Sequence, residues 1–423
     1  MKILRYPEPQ DLANGLVRPE SDTAVIQSQV AEIFEAVRKD GDAALLRYTE
    51  KFDSISLKKI VPSKDEIAAQ AKLCPVELQK AITQAKQNIE KFHLAQEETF
   101  SPIETMPGVL LWRRSTPIEK VGLYVPGGTA PLFSTVLMLA IPAQLAGCSE
   151  ITLCTPPQKN GLVHPAVAFA AQLCGAPKIA CVGGAQAIAA MVFGTESISK
   201  ALKVFGPGNV YVTAAKELAN EYGVAADLPA GASELAVLAD GTANPVFIAA
   251  DILSQAEHGT DSHTMFVTTS EALADRVQAE ISKQIGALPR KEIVKAALDK
   301  SVVVIVKTLN DAIMAVNTYA PEHLSIDVKD PSAVLESISN AGSVFVGSYS
   351  PEAAGDYASG TNHTLPTGGW AAMTGGISLE SFMKKITFQK ITKEGLQSLG
   401  HTIITMAEAE GLKGHAQAIR VRM

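Results

Sequence analysis

Cysteine is scarce in this chain, with five residues, at 74, 148, 154, 174 and 181, among 423. No two stand at CxxC spacing, and each lies in an apolar context such as ITLCTPP or AAQLCGAP. That pattern argues against a disulfide framework or a cysteine-rich zinc motif and points to reduced core thiols of a cytoplasmic protein. A long apolar run is also missing. PLFSTVLMLAIPAQLAG (131–147) is interrupted by Pro142 and too short to span a bilayer. At the start, MKILRYPEPQ places charge and Pro7 before any apolar segment, unlike a signal peptide. Positive charge is not in surplus: 37 basic residues face 44 acidic ones, for a net charge of -7. This balance argues against nucleic acid or an anionic membrane surface as partner. No repeat or low-complexity segment stands out.

What is present is a globular composition, 47% hydrophobic and 19% charged, in a chain longer than one core usually supports, so two or more domains are expected. Residues 24–52 carry apolar positions at helical spacing, broken at Asp40-Gly41, and 76–97 continue in that style. From about 119, short apolar strands alternate with Ala-rich helices: VGLYV (121–125), ITLCT (151–155), KIACV (178–182) and KVF (203–205). A second series runs through ELAVLA (234–239), TMFVTT (264–269), SVVVIVK (301–307) and SVFVG (343–347). Such alternation indicates parallel sheets covered by helices on both faces. The expected fold is therefore α/β: two doubly wound, incomplete Rossmann-like domains with small N- and C-terminal helical segments. The expected division is an N-terminal arm (1–20), a first α/β domain (21–121 and 233–377), a second (122–232) and a C-terminal helical segment (378–423).

Three Gly-rich turns follow strands of the first series: PGGTAP (126–131), GGAQA (183–187) and GPGN (206–209). None is G-x-G-x-x-G or a P-loop. At one edge of one sheet they would line a nucleotide crevice, although each alone is ordinary strand-to-helix turn chemistry. In ILSQAEHGTDSH (252–263), Gln255 and His258 are three apart and share a helix face, while Glu257 points elsewhere. Glu322 and His323 sit side by side in YAPEHLSID (319–327), a pairing suited to proton transfer near neutral pH and equally common as a charged strand entry. The polar segment PEAAGDYASGTNHTLPTGG (351–369) brings Asp356 and His363, and the tail AEAEGLKGHAQAI brings Glu410 and His415 on a surface-like helix. Local spacing alone makes no zinc motif of these clusters, so any metal site must be assembled from distant segments.

Taken in order, VPGGTAPLFSTVLML, VGGAQAIAA, FGPGN, SQAEHGTDS, APEHLSI and AGDYASGTNHTLPT resemble the histidinol dehydrogenase family over nearly the whole chain. The resemblance implies a zinc-dependent homodimer that oxidises L-histidinol to L-histidine in two NAD-dependent steps through L-histidinaldehyde. It implies Gln255, His258, Asp356 and His415 as zinc ligands, Glu322 and His323 as the acid–base pair, and Tyr124, Gln186 and Asn209 as NAD contacts. It further implies that Ser233, Gln255, His258, His323, Asp356, Glu410 and His415 contact the substrate, with Glu410 and His415 reaching into the neighbouring subunit's site. Two places depart from the family pattern: AGASE has Ala232 where AGPSE is usual, and GGWAAMTGG (368–376) follows LPT. Two rival readings are a cysteine-dependent aldehyde dehydrogenase and a binding module with a structural zinc.

Overall fold

The computed structural model describes residues 1–423 apart from 17, 19–22, 128–130, 176–177 and 229–230. The middle of the first Gly-rich turn and part of ADLPAGASE thus lie outside the described residues.

The alternating segments form two wholly parallel sheets. One has five strands in the order Lys178–Cys181, Glu150–Thr155, Lys120–Tyr124, Lys203–Phe205, Ala225–Ala226. The chain starts at the centre, winds outward through helices Phe133–Ala146 and Pro165–Leu173, then returns to the other side of the starting strand. The winding direction reverses between Lys120–Tyr124 and Lys203–Phe205, which opens a crevice at their carboxyl ends. Helix Phe133–Ala146 is apolar all round because the sheet covers one side of it and helix Val76–Leu94 another.

The second sheet has six strands in the order Lys2–Arg5, Val302–Ile305, His263–Thr268, Glu234–Ala239, His323–Asp327, Ser343–Val346, and reverses between Glu234–Ala239 and His323–Asp327. Part of the expected N-terminal arm is therefore an edge strand of this sheet.

The N-terminal helices are packed differently from the sequence grouping. Val30, Phe34 and Leu45, on helices Thr23–Asp40 and Asp42–Asp53, share a core with Tyr124, Val182 and Ile188. Ile67, Ile82 and Ile89 join Leu123, Leu137 and Leu153 on the opposite face. Residues 23–94 thus cover the five-stranded sheet, not the six-stranded one with which 21–121 was grouped. That sheet needs apolar cover beyond what its own crossover helices supply. A third sheet, antiparallel, joins Ile103–Met106, Val109–Pro117 and Met383–Ile391. The segment after 378 is accordingly not all helical. MKKITFQKI is half-exposed and pairs with a strand some 270 residues earlier, so neither a buried run nor a hairpin turn marks it in the sequence. Among the described residues no helix is long and apolar enough to cross a membrane.

The two parallel sheets meet end to end. The amino ends of Glu234–Ala239 and His323–Asp327 face the carboxyl side of the five-stranded sheet across a cavity of about 150 Å3, lined by Ser233, Glu322 and His323 from one side and Pro207, Lys216 and Asp227 from the other. The five-stranded sheet's side of this junction is fixed by a buried ion pair. Lys216 Nζ donates to the Gly206 carbonyl at 3.0 Å and pairs with Asp227, whose second oxygen accepts from Gly206 N at 2.7 Å. Both backbone polar atoms of Gly206 are thereby held. Gly206 has φ +128°, and a Cβ there would stand 2.1 Å from the Tyr124 carbonyl oxygen, so only glycine fits.

Candidate active site

The acid–base candidates enter the cavity through a local turn. Helix Leu309–Tyr319 ends in Ala320, a non-glycine residue at φ 49°, and Pro321 follows. This left-handed step redirects the chain so that Glu322 and His323 sit at the amino end of their strand, both buried. Glu322 Oε2 accepts from Ser233 Oγ at 3.0 Å and from Glu234 N at 2.8 Å, and lies 3.6 Å from His323 Nδ1. Burial pushes the Glu322 carboxyl up to about 7. Ala232 leaves the neighbouring hydroxyl in place and engaged.

His323 Nδ1 donates to the Glu234 carbonyl at 3.1 Å, which leaves Nε2 to face Asp356 Oδ1 at 3.5 Å. Burial opposes a charge on this ring, but the carboxylates of Glu352, Glu322 and Asp356 outweigh it and raise its pKa. Asp356 shows the converse: burial works against its charge, yet the His323 ring holds it below the usual carboxylate range. Glu234 thus grips both members of the pair through its own peptide group. Its side chain is held in turn, since Arg18 Nη2 donates to Oε2 at 2.9 Å and Gly368 N to Oε1 at 3.1 Å. The Arg18 guanidinium lies 4.0 Å over the Tyr319 ring. Through Gly368, the GGW segment takes part in this frame.

The metal candidates arrive on two helices. Helix Pro245–Ala256 starts at Asn244, whose side chain caps Val246 N at 3.0 Å, and breaks before Gly259. Gln255 and His258 stand at its end. Both polar atoms of the Gln255 amide are buried without a hydrogen-bond partner, on a side chain 0% exposed. An orphaned amide there is costly unless a cation or ligand takes its oxygen. Among the described residues, the His, Cys, Asp and Glu atoms able to ligate one ion are those of His258, Glu352 and Asp356, all within 4.8 Å of one another. His363 braces this group: its Nδ1 donates to the Asp356 carbonyl at 2.9 Å, and its Nε2, on a ring that burial keeps neutral, accepts from Thr135 Oγ1 at 3.2 Å.

The structure therefore brings together Ser233, His258, Glu322, His323 and Asp356 around the cavity, with Gln255 in the last turn of the helix that His258 follows. It does not bring in Glu410 or His415, which are exposed on the tail. Tyr124 ends strand Lys120–Tyr124, and Gln186 and Asn209 lie beyond the carboxyl ends of Lys178–Cys181 and Lys203–Phe205, all on the carboxyl side of the five-stranded sheet and outside the cavity lining. The buried Tyr124 hydroxyl accepts from Gly184 N at 3.1 Å, and Asn209 caps helix Val210–Ala219. Sequence reasoning missed Glu352, Glu234, Arg18 and Lys216–Asp227. Glu352 alone had a local signal, because it stands four residues before Asp356 on one helix face. The other three become recognisable only by their partners.

The cysteine reading is overturned. Burial pushes Cys148 up to about 11 and Cys154, Cys174 and Cys181 to about 12, and raises Cys74. A thiol held protonated is a poor nucleophile.

A buried carboxylate–imidazole pair beside a His–carboxylate cluster able to hold a cation, at the junction of two doubly wound sheets, defines an enzyme equipped for proton transfer. The family sequence model for histidinol dehydrogenase matches residues 16–423. Proteins named histidinol dehydrogenase from Bacteroides thetaiotaomicron and Bacteroides fragilis are 52% and 53% identical to this chain, covering all of it and 99% of their own length. The crystal structure of histidinol dehydrogenase from Elizabethkingia anophelis superposes with a TM-score of 0.98 at 51% identity, covering 100% of this chain and 98% of that one. The chain belongs to the histidinol dehydrogenase family.

Proposed function

We propose that the chain oxidises L-histidinol to L-histidine with zinc and two NAD in turn, using Glu322 and His323 as its proton-transfer groups. The observation that carries this reading is the buried Glu322–His323 pair facing a ligand cluster that includes an unpartnered Gln255 amide. The donor set of amide, imidazole and carboxylate fits zinc, which accepts nitrogen and oxygen ligands. Gln255, His258 and Asp356 would hold it with His415, and Tyr124, Gln186 and Asn209 would hold NAD. Bound zinc supplies positive charge that fixes the substrate's nitrogens and polarises its oxygen, and NAD accepts the hydride.

The residues' own work follows from their bonds. His323 Nδ1 is committed to the Glu234 carbonyl, so in the neutral ring, which a bound cation would favour by offsetting the surrounding carboxylates, Nε2 takes the hydroxyl proton as hydride leaves the alcohol carbon. Glu322 then removes a proton from water, whose oxygen bonds to the aldehyde carbon as the carbonyl π bond opens, and His323 returns its proton to the former carbonyl oxygen, which gives the hydrate and frees Nε2 again. A carbonyl carbon has no alcohol-type hydride to give until water has added, which is why a second base is needed. His323 takes the hydrate's hydroxyl proton as the second hydride leaves, and the acid forms. Ser233 and Glu234 N hold Glu322 in position throughout.

The test is NADH released per L-histidinol, before and after stripping and restoring zinc. Two NADH per substrate, with activity returning on zinc, is the expected outcome. One NADH, or full turnover by stripped protein, would sink the reading.

Glu410 and His415 act on the neighbouring subunit's site in a homodimer. Their exposure supports this, as does the exposed apolar surface of Met406, Leu412 and Val421 on the same tail. Mixing H323N with H415N protein and letting subunits exchange is expected to restore activity to about a quarter of wild type, because half the dimers then own one intact site. Two inactive parents giving an inactive mixture would exclude a shared site.

A further inference from the structure

Glu352 is the buried ionisable group that the mechanism above leaves unused. Its side chain is 1% exposed, and neither carboxylate oxygen has a hydrogen-bond partner. It opens helix Glu352–Tyr357, places one oxygen 3.7 Å from His323 Nδ1, and meets His258 and Asp356 with ligand atoms within 4.8 Å. A carboxylate taken out of water with no donor to either oxygen is a net cost to the fold, so something absent from the bare protein must repay it. The His323 ring attracts this carboxyl but gives it no hydrogen bond, since its Nδ1 hydrogen is already given to the Glu234 carbonyl at 3.1 Å. What remains next to Glu352 is the space bounded by His258 and Asp356.

We propose that Glu352 is a further residue of the cation site, giving one protomer four donors of its own, Gln255, His258, Glu352 and Asp356, before any group from a partner's tail is added. This rests on the metal reading of the site and deepens it. The helix spacing is what makes it possible, because residues four apart present both carboxylates to the same point. A protomer holding three charged or imidazole donors retains metal while the tail's His415 is undocked. A set lacking Glu352 would have one carboxylate fewer and lean on the neutral Gln255 amide.

The experiment uses full-length protein stripped of metal and titrated with zinc against a chromogenic chelator, and in parallel with cobalt(II) read by visible absorption. E352Q is expected to bind zinc about 10- to 100-fold more weakly and to change the cobalt spectrum. The metal-free E352Q protein is expected to melt close to metal-free wild type, since the amide keeps the carboxyl's size and no hydrogen bond is lost. E352A, read in the same way, guards against a glutamine that fits poorly. Unchanged zinc affinity and an unchanged cobalt spectrum in both variants would overturn the proposal, even with a fall in kcat, which would then mark Glu352 as a positioning residue for His323. If wild type itself takes up no zinc or cobalt, the metal reading falls and Glu352 with it. Zinc-binding wild type alongside equally binding variants removes only Glu352.

Discussion

H323N is expected to lower kcat for L-histidinol by about 10³-fold, within the range that a positioned general base contributes. Which nitrogen is free decides this outcome. A backbone carbonyl can only accept, so the 3.1 Å contact fixes the hydrogen on Nδ1 and leaves Nε2 for the substrate's proton. Asparagine can still donate to the Glu234 carbonyl but offers no basic atom at the Nε2 position. Zinc content and melting temperature are expected to stay near wild type, and KM for L-histidinol to change little, because the loss lies in the transition state. A kcat within tenfold of wild type would remove His323 from the proton path. Both oxidations should suffer, since each gives up a hydroxyl proton as hydride leaves.

E322Q is expected to separate the two oxidations. Glutamine keeps an oxygen to accept from Ser233 Oγ and Glu234 N, so the local frame is preserved. What it loses is basicity. Alcohol oxidation should be affected modestly, and oxidation of supplied L-histidinaldehyde should fall by about 10²- to 10³-fold, because hydration of the carbonyl loses its base. The pH profile supplies a second readout. Burial raises the Glu322 carboxyl to about 7, and the group works as the carboxylate. The aldehyde step in wild type should therefore rise with pH through about 7 and be lost below it. E322Q should lack that limb. A limb that persists in E322Q belongs to another group.

The chemistry-bearing residues lie in short stretches that are visible in the sequence because each combines unusual residue types. SQAEHG puts an amide and an imidazole on one helix face, PEH an acid beside a base, and AGDYASGTNH two ionisable residues in a long polar segment. The alternation of apolar strands with Ala-rich helices likewise announces parallel sheets, since strands covered on both faces must be apolar throughout. The roles of individual residues came from the family resemblance. Spacing by itself offers no reason to prefer Gln255 to Glu257. The structure supplies a physical one: Gln255 is fully buried with an unsatisfied amide, whereas Glu257 is the half-buried C-cap of the helix and is not among the clustered ligand atoms.

The sequence by itself determined the α/β class, the approximate strand positions and the segments that carry the chemistry, because these depend on local periodicity and residue type. Only the tertiary structure decided that helices 23–94 cover the five-stranded sheet, that residues 2–5 and 383–391 are strands, and that two sheets oppose unlike ends. It also decided that Glu234, clamped by Arg18 from 216 positions away, holds both acid–base residues, and that Glu352 joins His258 and Asp356. The physical reason is common to all of these. Each is a pairing between segments far apart in the chain, where one partner carries no local mark. Burial and an unsatisfied hydrogen bond become visible only when the other partner is in place.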